Sequence, residues 1–100
     1  MNIEIQNTTL VISGLSELTA ITATELKAAV RNQFAAGLKD IDFDCAGLGF
    51  VDSSGLGTLI SLQKLAVERG GKFRLLAPGA QVLQVLELTR MHRVFEIVQP

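Results

Sequence analysis

DIDFDCAGLGFVDSSGLGTLISL, residues 40–62, changes its period halfway along, and that change decides how the whole chain is read. In the first part Ile41, Phe43 and Cys45 alternate with Asp40, Asp42 and Asp44, the period-two spacing of a strand with one apolar face. After Asp52-Ser53-Ser54-Gly55, the residues Leu56, Leu59, Ile60, Gln63, Ala66 and Val67 recur at helical spacing. A helix is therefore predicted from about Ser54 to Arg69, stopped by Gly70-Gly71. The three aspartates invite a metal reading. Alternation, however, puts Asp42 and Asp44 on one face of an extended strand, and calcium loops need a different ligand spacing, so solvated or capping carboxylates are expected and no metal site. Cys45 is the only cysteine, cannot form an internal disulfide, and falls on the apolar side of the alternation, where it reads as a small buried hydrophobe.

Working outward, Ile3 and Ile5 alternate with polar neighbours and TTLVIS (8–13) is a β-branched run ending at Gly14, which together read as a hairpin turning at Gln6-Asn7. From Thr24, the residues Leu26, Ala29, Val30, Phe34 and Leu38 follow helical spacing, and Gly37 suits the helix end. KFRLLAP (72–78) is a strand closed by Pro78, GAQVLQVLELT (79–89) a short apolar helix, and VFEIV (94–98) a last strand. The expected architecture is α/β: one domain over residues 1–100, with a mixed sheet of four to five strands covered by three to four helices. A chain of 100 residues buries about 60 to 65 % of its unfolded surface, enough to fold alone. Its composition, 48 % hydrophobic and 19 % charged, is that of a globular domain. A net charge of −1 gives no electrostatic footprint for nucleic acid. No run approaches the roughly 20 apolar residues that span a bilayer, and MNIEIQNTTLVIS (1–13) has no export-type core, so no membrane and a cytoplasmic location are expected.

The serines carry the functional question. An Asp-Ser-Ser-Gly run before an amphipathic helix is what N-capping asks for, because a side-chain oxygen must accept from the free N–H groups of the first turn. A hydrolase is a weaker reading. The Gly-x-Ser-x-Gly elbow is absent, and the single histidine, His92, reads as an exposed loop residue with no serine or cysteine motif around it. GLGFVDSSGLG (47–57) contains neither Gly-x-Gly-x-x-Gly nor a Gly-Lys-Ser/Thr ending, so nucleotide binding is not indicated. Modification remains open: a phosphoserine carries about −1.5 to −2 charges, more than this chain's whole net charge, and a helix N-terminus accommodates it.

The chain resembles the single-domain STAS proteins that act as anti-sigma factor antagonists in bacterial partner switching. The likeness is carried by LVISG (10–14), DIDFDCAGLGFVDSSGLGTLISL (40–62), GGKFRLLAP (70–78) and VLELTRMHRVFEI (85–97). It implies a non-enzymatic switch that needs no cofactor of its own. The unphosphorylated form binds an anti-sigma factor that is also a serine kinase, a sigma factor is released, and a metal-dependent serine phosphatase reverses the modification. The family's modified hydroxyl directly follows the Asp, which places it at Ser53 and leaves Ser54 to cap the helix. The partner surface expected around it comprises Asp52, Ser54, Gly55, Leu56, Thr58 and Leu62, with Glu17 near the family's acidic position. Thr58, Ser61, Leu62 and Leu65 are expected on the flank of the helix, while Leu59, Ile60, Ala66 and Val67 go to the core. Two stretches depart from the family: GLSELTAITATEL (14–26) reads as a longer loop, and Met91-His92 stand where a Gly-Asp pair is common. A monomer is expected. The alternatives are a never-phosphorylated STAS subunit of a stable assembly, for example a lipid-transport complex, and a small hydrolase using Ser53 or Ser54.

Overall fold

The computed structural model describes residues 1–34 and 37–100. Strands β1 (Asn2–Gln6) and β2 (Thr9–Ser13) form an antiparallel hairpin. Its two-residue loop places Asn7 at φ 57°, a left-handed conformation that Asn tolerates. There follow β3 (Glu17–Leu18), α1 (Ala20–Gln33), β4 (Asp40–Asp44), β5 (Phe50–Val51), α2 (Ser53–Glu68), β6 (Phe73–Leu76), α3 (Ala80–Leu88), a one-turn 3₁₀ helix (Met91–Arg93) and β7 (Glu96–Val98). The five-stranded sheet has the order β1-β2-β4-β6-β7, parallel from β2 onward, while β3 and β5 form a separate two-residue parallel ladder.

This order sets the layers. Each parallel strand is added on the same side of its predecessor, and right-handed crossovers then place all three helices on one face of the sheet. The covered face carries Leu10 and Ile12 of β2, Ile41 and Phe43 of β4, and Phe73 and Leu75 of β6, in register and buried. The open face carries the alternate residues. There Asp42 lies opposite Arg74, whose Nε is 2.6 Å from Asp42 Oδ1 and whose Nη2 is 3.3 Å from Asp40 Oδ2. Asp40 Oδ1 also accepts from the Lys72 backbone N–H at 2.8 Å, and Asp44 Oδ1 from that of Ala46 at 2.9 Å. Asp40 and Asp42 are thus engaged by a cation rather than merely solvated, and among the described residues no acidic, His or Cys cluster could hold a metal. Cys45 is buried, and desolvation with the nearby Asp44 charge pushes its thiol up to about 12, so it has little thiolate character.

Three sequence expectations shift. Helix α1 starts at Ala20, not Thr24, because the Thr19 backbone N–H is received by Thr22 Oγ1 at 2.8 Å, a reciprocal cap built without an acid. The loop after Gly14 is therefore short. At the other end α1 stops at Gln33, before the expected Gly37, and residues 35 and 36 lie outside the described set. The buried face of α2 is rotated from the expected Leu59, Ile60, Ala66 and Val67: Leu59 and Ala66 are buried, but the face runs on through Gly55, Thr58 and Leu62, while Val67 is 62 % exposed. Gly55 explains the rotation. A Cβ there would lie 2.3 Å from the Leu18 carbonyl oxygen, so the helix sits on the β3 backbone through its smallest residue. Thr58 goes down beside it, its hydroxyl bonded to the Ser54 carbonyl at 3.0 Å. Helix α2 ends as expected at the two glycines. Gly70, at φ 77°, donates to Val67, and Gly71 donates to Ala66, a Schellman closure.

Candidate functional site

The β3–β5 ladder aims the start of α2. Leu18 and Val51 are its buried rung, and on its exposed rung Glu17 lies across from Phe50, two residues before Asp52. Asp52 is then held three ways: its N–H donates to Leu18 O at 3.1 Å, its carbonyl accepts from Leu56 N at 3.0 Å, and its Oδ1 accepts from Gly55 N at 2.8 Å. With extended backbone at φ −95° and ψ −175°, Asp52 is the N-cap. This corrects the assignment of Ser54 as cap.

Relieved of capping, both serines become the first two helical residues, and both are exposed. Among the described residues neither hydroxyl makes a hydrogen bond. They stand over the positive end of a 16-residue helix, where free N–H groups and the dipole favour an anion by about 0.3–1 kcal/mol at an exposed position. Among the described residues no side-chain base is hydrogen-bonded to either hydroxyl. His92 sits in the 3₁₀ turn after α3, part-buried rather than exposed, with its Nδ1 3.4 Å from the Leu86 carbonyl.

The expected partner residues therefore divide. Asp52, Ser53, Ser54 and half-buried Leu56 share the first turn at the surface, and Glu17 is exposed on the ladder that leads to it. Thr58 and Leu62, at 0 % and 3 % exposed, are core residues and add nothing to the surface at this turn, while buried Gly55 acts as the spacer that seats the helix. Sequence reasoning missed Phe50, 56 % exposed beside this turn. The sequence carried no signal for it, since a two-residue strand does not show which of Phe50 and Val51 faces out.

Comparison with known proteins places the chain. The STAS domain family matches residues 1–99. A crystal structure of the Thermotoga maritima protein TM1081, described as a candidate anti-sigma factor antagonist, is similar with a TM-score of 0.89 at 26 % identity, over 99 % of this chain and 86 % of that one. The NMR structure of TM1081 gives 0.84 at 26 %, over 97 % and 78 %. The anti-sigma factor antagonist SpoIIAA, in its unphosphorylated form, shares the fold with a TM-score of 0.85 at 22 % identity, over 99 % and 86 %.

Proposed function

The chain belongs to the STAS domain family, and we propose that it is an anti-sigma factor antagonist switched by phosphorylation of Ser53. Unmodified, it binds an anti-sigma factor that is a serine kinase, so that a sigma factor or other target is released. Phosphorylated, it lets the kinase go, and a metal-dependent serine phosphatase resets it in the cytoplasm. ATP and its metal belong to the kinase; this chain is substrate and ligand.

The observation that carries the reading is the division of labour at the helix start. Asp52 supplies the cap, so the Ser53 hydroxyl is exposed and free of structural duty. A phosphate there finds helix N–H groups to accept from, and the fold tolerates it. A partner seated on Asp52, Ser54, Leu56, Glu17 and Phe50 must instead desolvate a dianion next to the Asp52 carboxylate, at a cost of several kcal/mol. The test is titration of an anti-sigma-type kinase with unmodified and Ser53-phosphorylated protein. The expected result is binding about 100-fold weaker after modification, equivalent to about 2.7 kcal/mol. Equal affinity for both forms contradicts the switch and favours a standing subunit of an assembly.

A further inference from the structure

We infer that the groove between the C-terminal halves of α1 and α2 is a second docking site, for an acidic amphipathic helix of a protein partner. The groove has a volume of about 530 Å³ and lies on packed, adjacent helices. Its floor is apolar: Val30 and Leu62 are buried at its base, and Phe34 and Leu65 are half-buried along it. Its walls are cationic. Lys27 and Arg31 rise from α1, Lys64 from α2 and Arg69 from the residue that caps its end, and Glu68 is the one carboxylate among the lining residues, in a chain whose net charge is −1. Among the described residues Lys27, Arg31 and Lys64 form no ion pair. The Arg69 guanidinium lies over the Phe34 ring, 4.7 Å from its centroid, so one cation already rests on the floor.

The spacing selects the occupant. Lys27 and Arg31 are one turn apart on one wall and Lys64 and Arg69 five residues apart on the other, spread about 6–8 Å along the groove rather than converging on one point. A single headgroup meets only one or two of them. A helix with apolar residues at i, i+3 and i+4 and glutamates on both flanks satisfies both walls and covers Phe34 and Leu65. Leu65 is twelve residues beyond Ser53, about 18 Å along α2, so this site is separate from the switch and does not depend on its role.

The experiment uses two synthetic helical peptides of about 14 residues, with the same leucine stripe flanked by glutamate in one and lysine in the other. Each is titrated into the full chain and followed by amide NMR shifts. The glutamate peptide is expected to bind, with shifts confined to the second halves of α1 and α2. Binding should weaken at least about tenfold in Lys27→Glu/Lys64→Glu and with added salt, and be unchanged in Ser53→Asp. Equal binding of both peptides, or shifts centred on the Ser53 turn, overturns the inference. So does binding of decanoate in the groove by a protein that ignores the glutamate peptide, which makes the site one for a small anionic amphiphile.

Discussion

Two joints of this molecule are built from the same parts. At the start of α2, Asp52 accepts from the Gly55 N–H, and Gly55 lies against the Leu18 carbonyl; where β4 meets β6, Asp40 accepts from the Lys72 N–H, and Gly71 lies against the Lys39 carbonyl. A Cβ would stand 2.3 Å from the first carbonyl oxygen and 2.1 Å from the second. The difference lies in what surrounds each aspartate. Beside Asp40, Arg74 binds both Asp40 and Asp42 and leaves the joint purely structural. Beside Asp52, two hydroxyls on an exposed first turn have no bond to lose. An equally rigid joint with unemployed polar groups at its surface is one that can be modified without being dismantled.

The comparison breaks most sharply at the glycines. Gly55→Ala and Gly71→Ala each force a methyl into a backbone carbonyl, so each should cost about 3 kcal/mol and lower the midpoint of thermal unfolding by about 10 °C or more. If Gly55→Ala melts like wild type, the turn bearing the serines is not held as described. Next in size, Asp52→Ala removes the cap and should cost about 1 kcal/mol, a shift of about 4–8 °C in the same measurement.

Asp40 sharpens the contrast through pH. Its carboxyl is held below its ordinary 3.8 chiefly by the Lys72 N–H, against some opposing desolvation, with the Arg74 hydrogen bond and charge adding to the lowering. Its contribution to stability is therefore complete above pH 3.8 and lost as pH falls through the lower folded value. Asp40→Asn should melt below wild type at about pH 6, with the gap closing under more acid conditions. A gap that stays constant with pH shows that ionisation of Asp40 is not the cause. Smallest of all, Ser53→Ala should change stability by under about 0.5 kcal/mol, since its hydroxyl bonds nothing.

The strands were legible because β4 alternates cleanly, β2 is a β-branched run ending at Gly14 and β6 is closed by Pro78, and α2 because an acid-serine run opens it and two glycines close it. The β3–β5 ladder was hidden, since two residues carry no period. The buried face of α2 was misread for a related reason. Periodicity follows the large apolar residues, whereas this helix is seated by Gly55 and Thr58, whose burial depends on a backbone contact distant in sequence. The same blindness assigned the cap to Ser54: Asp, Ser and Ser all cap well, and only the entry direction of the chain from β5 selects Asp52. Arg74 was equally invisible as the partner of Asp40 and Asp42, because the pairing is a register between strands 32 residues apart.

The central claim is that Ser53, not its likewise exposed neighbour Ser54, is the modified residue. Its most direct test is intact mass after incubation with ATP, Mg²⁺ and an anti-sigma-type serine kinase. Wild type and Ser54→Ala should each gain one phosphate and Ser53→Ala none, with all three melting together beforehand. A phosphate gained by Ser53→Ala and lost in Ser54→Ala, or none gained by wild type, contradicts the account.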